Sequence, residues 1–178
     1  VSRLLRRHVV SLPAPEVACR VDWVAGASLM IRQKALEDIG LFDERFFLYF
    51  EETDLCRRAA LAGWGVDYVP ESRVVHIGSV STGMKTWTRM PGYWFDSRLW
   101  YFTKNHGAAY AALATALHVA GGLLWRCRMI LQRRPPLDPR HFLRDLVTHG
   151  LRHLRPRRHA TASATSGQPQ TSDTRSAP

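Results

Sequence analysis

The hydrophobic and polar positions of this chain follow two regimes. The first mixes short strands and helices. Residues 22–32, DWVAGASLMIR, are dense in β-branched and aromatic side chains and predict a strand, with Gly26 marking a bend or a close approach. The segment RQKALEDIG predicts a short helix stopped at Gly40, where a left-handed cap is expected. A second helix is predicted over about residues 52–62, closed by Gly63. Two short strands then follow, VDYVP and SRVVH, before the turn-rich GSVSTG. The second regime is helical. Residues 92–105 place Trp94, Arg98, Tyr101 and Phe102 on a helical repeat, and residues 107–132 form a long Ala- and Leu-rich helix. Its uncharged centre has the length to span a bilayer, yet it carries Tyr110, Thr115 and His118 among many Ala and Gly. It therefore reads as a buried or interfacial helix, with a true span as the alternative. Pro135 and Pro136 break it. The basic stretch 133–159 then carries an amphipathic helix with an apolar stripe of Phe142, Leu143, Leu146, Val147, Leu151 and Leu154. Residues 1–20 read as a basic lead-in, and residues 160–178 are low in complexity and expected to be disordered.

Charge changes this picture at one end only. Of the formal net charge of +10, eight positive charges come from residues 126–158, which hold ten Arg against Asp138 and Asp145. No helix-turn-helix, zinc-finger or aromatic RNA-binding pattern accompanies them, which argues against nucleic acid and for an anionic membrane face. Cys19, Cys56 and Cys127 lack the spacing of a metal or redox motif and read as reduced thiols of a cytosolic compartment. The basic N-terminal segment lacks the apolar core and cleavage site of a signal peptide.

Candidate chemistry concentrates in FFLYFEETDLCRR, residues 46–58, where an aromatic run meets three carboxylates. Acids in a first helical turn complement the helix dipole, and Asp54 can pair with Arg58 at i,i+4. That alone does not explain the adjacency. Bulky residues from Phe46 to Phe50 desolvate the first acids after them, which raises a carboxylate pKa and suits a general base.

From Val21 to Gly107 the chain resembles the acceptor-side half of family 2 glycosyltransferases with a GT-A fold, in particular bacterial rhamnosyltransferases that build cell-surface polysaccharides. The resemblance rests on the W-x-x-G-A segment at Trp23, the IGLFDE turn, the acidic helix start, the GWGV turn and the V-V-H segment ending at His76, all in one order. It implies an α/β fold: the C-terminal half of a Rossmann-like GT-A domain over residues 21–106, followed by C-terminal helices and a tail. It also implies that Glu52 takes the position of the base that deprotonates the acceptor hydroxyl, and Glu51 that of its acidic neighbour. Trp23, Gly26 and Ala27 then form a wall of the acceptor site, the alternative for Trp23 being a side chain packed in the core, with Asp54 as a further substrate contact or a structural ion-pair residue. His76, 24 positions after Glu52, becomes either a ligand of a divalent ion, Mg²⁺ or Mn²⁺, or an ordinary hydrogen-bonded histidine. The other seven histidines read as lacking ligand spacing. Phe42, Asp43 and Glu44 read as turn chemistry or as a loop leading into the site.

The expected partners are a nucleotide-sugar donor and a glycan or lipid-linked acceptor at the cytosolic face of the cell membrane. One departure is large. The family places the nucleotide and the metal with a DxD motif in an N-terminal half, and neither that half nor a DxD occurs in these residues. Residues 1–178 are therefore expected to be part of something longer or one half of a split enzyme. The alternative is a catalytically inactive fragment serving as a membrane-surface or interaction module.

Overall fold

The computed structural model describes residues 14–77, 87–135 and 139–154. The expectations for residues 1–13, for the turn-rich segment at 78–83 and for the tail at 160–178 lie outside the described residues.

Strand β1 (Cys19–Val21) pairs antiparallel with β2 (Val66–Tyr68), Arg20 standing opposite Asp67. Their side chains meet at 2.9 Å on an exposed face, a pair worth a fraction of a kcal/mol, about 0.2–1. The strand expected at 22–32 is not formed, and SRVVH is likewise irregular. A strand needs a partner ladder as well as propensity, and among the described residues only β1 and β2 supply one. The described part is thus richer in helix than the α/β expectation.

Helix α1 (Gln33–Ile39) is supported by the pairs Lys34 to Asp38 at 3.1 Å and Gln33 to Glu37 at 3.0 Å. It ends at Gly40, at φ 78°, whose N–H donates to the Leu36 carbonyl. The last carbonyl of that end and the two that follow it are taken by one side chain from α2 (Glu51–Leu61). The Arg58 guanidinium donates to the carbonyls of Ile39 at 2.6 Å, Gly40 at 3.3 Å and Leu41 at 2.8 Å. The indole of Trp64 adds a hydrogen bond to Asp38. α1 and α2 are locked together by polar contacts around a small core of Ala35, Leu55 and Cys56.

Three further helices pack as a unit: α3 (Gly92–His106), α4 (Ala108–Leu131) and α5 (Phe142–Leu154). Their core is Phe95, Phe142, Leu143 and Leu146, flanked by Met90, Trp94 and Val119. The amphipathic pattern was half right. Phe142, Leu143 and Leu146 are buried, while Val147 and Leu151 are exposed and line a cleft against α4. Close approach of α4 and α5 needs Gly122, because a Cβ there would stand 2.6 Å from a Leu143 methyl. Arg98 is buried between α3 and α4, donating to the Thr115 hydroxyl and the Ala114 carbonyl with its guanidinium over the Phe102 ring. Arg89 grips the buried Asp145 with two bonds of 2.6 and 2.8 Å, closing the helical unit.

Of the alternatives for helix α4, only burial departs from the structure: Ala111 is its one buried residue, and Leu113, Leu117, Leu123, Leu124, Ile130 and Leu131 are exposed. At 24 residues it is long and apolar enough to cross a membrane.

Candidate active site

The aromatic run before the acids is neither strand nor helix. Tyr49 and Phe50 sit at φ 71° and 70°, a left-handed conformation that bulky L residues rarely adopt and that costs on the order of 1–3 kcal/mol each. Packing on α3 holds them there. Phe50 lies between Trp94 and Tyr101, with centroids at 6.1 and 5.6 Å. Tyr49 stacks on Tyr93 at 6.4 Å and meets Trp87 edge-on at 6.2 Å. The Leu48 carbonyl accepts from the buried Ser97 hydroxyl at 2.9 Å. This bend turns the chain straight into α2, and the Asp54 N–H closes its first turn on the Phe50 carbonyl at 2.9 Å.

Glu51 and Glu52 emerge half-buried from that bend. Each has one carboxylate oxygen, Oε2, that is buried and has no hydrogen-bond partner among the described residues. A buried acceptor of this kind is costly unless something fills it. Burial pushes the Glu51 carboxyl above its ordinary value; its own backbone N–H opposes the shift and the charge of Glu52 adds to it. Opposite Glu52 stands Gly26, where an added Cβ would lie 3.6 Å from the Glu52 Cβ and 3.9 Å from its carboxyl carbon. The structure thus brings Gly26, Glu51 and Glu52 together. Trp23, 51% exposed, and Ala27, also exposed, lie on the same segment as Gly26.

Asp54 takes the structural role. Its side chain is 0% exposed, so the expectation that it contacts substrate is corrected. It receives Arg58 at 2.9 Å, Lys104 at 2.8 Å and Asn105 at 3.0 Å. Burial alone would raise its pKa; the bonds from Lys104, Asn105 and Arg58 outweigh that and hold it below the ordinary value. Lys104 reaches Asp43 as well, at 2.8 Å. Asp43, also bonded to the Arg45 N–H and the Trp100 indole, falls to about 2 against the desolvation that opposes it. The FDE segment is therefore an anchored turn, and Asp43 is engaged by protein groups.

His76 is exposed on an irregular segment and belongs to no cluster of ligating side chains among the described residues. The residues present do not by themselves fit the expected divalent ion. One such cluster does occur, and sequence reasoning missed it: Asp96 with His149 and His153. The signal was available, since His149 and His153 are four residues apart on a helix. The aromatic platform of Trp87 and Tyr93 under Tyr49 was also missed, because a strained bend has no periodic signature.

An acidic helix start is thus mounted on α3, with one unpartnered carboxylate oxygen on each of Glu51 and Glu52 and with Glu52 packed beside Gly26. The chain belongs to the glycosyl transferase family group 2, whose family model matches residues 6–151, a span longer at both ends than the motifs alone indicate. Membership implies a GT-A α/β fold for the domain. Over 112 residues, 63% of this chain, it is 31% identical to the N-acetylglucosaminyl-diphospho-decaprenol L-rhamnosyltransferase of Mycobacterium tuberculosis, in strains CDC 1551 / Oshkosh and ATCC 25618 / H37Rv alike. That stretch is 36% of the mycobacterial protein. It is also 39% identical to rhamnosyltransferase WbbL of Escherichia coli (strain K12) over 56 residues, 32% of this chain and 21% of that one. The chain aligns with about a third or less of the length of these curated relatives. No solved structure matches it.

Proposed function

We propose that this chain is the acceptor-side part of an inverting glycosyltransferase. It would carry a sugar, rhamnose by kinship with its relatives, from a nucleotide sugar to a hydroxyl of a lipid-linked or cell-surface glycan. The observation that carries this reading is the pair of buried, unpartnered carboxylate oxygens on Glu51 and Glu52. An acceptor hydroxyl is a hydrogen-bond donor of the kind those oxygens lack. In this reading Glu52, which packs beside Gly26, accepts the hydroxyl proton as the oxygen attacks the anomeric carbon. The bond to the nucleoside diphosphate breaks, and that group leaves with the electron pair. Glu51 holds a neighbouring acceptor group, and Trp23 offers an exposed indole face for a sugar ring. The donor diphosphate and its divalent ion, Mg²⁺ or Mn²⁺, require a nucleotide-binding half that would bring the remaining ligands; His76 joins them only in that context. The exposed apolar face of α4 and the arginines of the C-terminal segment support residence at the cytosolic membrane face.

The test is transfer from a panel of labelled nucleotide sugars to a lipid-linked acceptor, comparing this chain with one joined to a nucleotide-binding half. Activity in the joined form that is lost in Glu52→Gln supports the reading. A second reading, a non-catalytic membrane-surface module, rests on the same exposed α4. It gains if neither form transfers sugar while this chain binds anionic vesicles.

A further inference from the structure

We propose that Asp96, His149 and His153 form a zinc-class metal site, separate from the Glu51–Glu52 pair and from any ion held with the donor. The three come from two helices. His149 and His153 lie one turn apart on α5, their rings 4.4 Å apart, and Asp96 faces them from α3. Their ligating atoms all lie within 4.8 Å of one another.

Two of the three separations lie near those of a tetrahedral ion. Bonds of about 2.1 Å at a tetrahedral angle separate ligand atoms by about 3.4 Å. The Asp96 carboxylate oxygen stands 2.7 Å from His149 Nε2 and 3.9 Å from His153 Nε2. Both therefore lie within about 0.7 Å of the required separation, less than a small side-chain rotation changes. The arrangement also has the outer support that metal-bound histidines usually show. His153 Nδ1 lies 3.2 Å from the His149 backbone carbonyl. With that carbonyl accepting, Nδ1 carries the proton and Nε2 turns its lone pair toward Asp96.

Donor chemistry selects the ion. Two imidazoles and one carboxylate suit Zn²⁺ or its neighbours in the transition series, whereas Mg²⁺ and Ca²⁺ prefer all-oxygen shells. Three protein ligands leave a fourth position. Asp96 and His153 also line the cleft of about 810 Å³ between α3, α4 and α5, whose walls include Leu99, Ala112, Ala116 and Leu123. The site borders that cleft, so a water or an anionic oxygen of a bound molecule would complete the shell. The ion would also clip the outer end of α5 to α3.

The experiment uses the full chain, tag-free and stripped with a chelator, titrated calorimetrically with Zn²⁺ and followed in parallel by the visible absorption of Co²⁺. A single equivalent of Zn²⁺ should bind. Asp96→Asn and His153→Gln should each weaken it at least tenfold, no less than losing an outer-shell partner does, and should remove the tetrahedral Co²⁺ bands. His76→Ala should change neither. Zn²⁺ should raise the melting temperature of the parent chain and leave that of His153→Gln unmoved. The proposal is overturned if His153→Gln binds Zn²⁺ like the parent, which would leave Asp96 and His149 a simple hydrogen-bonded clip, or if His76→Ala is the variant that loses the ion. Should His149→Gln fail to fold, His153→Gln still decides, since that side chain is 53% exposed. Because the readout is metal binding, its outcome is independent of whether the chain transfers sugar.

Discussion

Replacing Lys104 with Met removes the one ammonium that serves two acids, Asp43 and Asp54, each at 2.8 Å. Asp43 is held at about 2 against an ordinary 3.8, a shift that corresponds to about 2 kcal/mol at 1.36 per pKa unit. Lys104 supplies part of that, and solvent access to Asp43 trims it, leaving about 1 kcal/mol for the lost ammonium. Asp54 keeps Arg58 and Asn105, so its loss stays below the 3–5 kcal/mol of a fully stripped buried charge, at about 1–2 kcal/mol. Together the substitution should cost about 2–3 kcal/mol at neutral pH, read as a lower midpoint in urea denaturation. The sign with pH follows from the depressed pKa values. A carboxyl whose folded pKa lies below its unfolded one stabilises the fold fully above the unfolded value and loses that contribution as pH falls through the folded one. The gap between parent and variant should therefore be constant at neutral pH and shrink between about pH 4 and pH 2. A gap under about 0.5 kcal/mol, or one unchanged down to pH 2, would refute the reasoning.

Other substitutions probe the rest of the molecule. Glu51→Gln should raise stability at neutral pH and leave it unchanged in acid: burial raises this carboxyl's pKa, so ionisation destabilises the fold as pH rises past the unfolded value. Urea midpoints across the pH range check it. Gly122→Ala should cost about 1 kcal/mol, because the new methyl meets the buried Leu143, whereas Gly121→Ala, open to solvent, should gain up to about 1 kcal/mol in helix propensity. Thermal melts of the two variants separate these signs. In a form active in transfer, Gly26→Val should lower turnover about tenfold or more with little change in stability, since its branches would crowd Glu52 and not the core.

The helices were legible in the sequence because their signals are local. Gly40 ended α1 as expected, and the acidic helix appeared within one residue of its predicted start. The strands were not, since WVAGASLMI and SRVVH have the right composition but pair with nothing among the described residues. The Glu51–Glu52 pair was legible from aromatic residues abutting acids. Its strained mount was not: nothing in Tyr49 or Phe50 as residue types announces a positive φ, which α3 imposes from 40 to 50 residues downstream. For Asp54 the pair with Arg58 was legible from their i,i+4 spacing, whereas only the fold shows that Lys104 and Asn105 close over it.

Among the described residues, most of the holds on the start of α2 come from one helix behind it. Ser97, Trp94, Tyr101, Lys104 and Asn105 all belong to α3, while the side facing Gly26 is left to whatever lies in front. Aim and choice are thereby assigned to different stretches of chain. Under the proposed function, substitutions around residues 22–31 would alter what is admitted more than how the carboxylates are mounted. A change in α3 would misdirect them for every molecule admitted, so the two stretches are free to diverge at different rates.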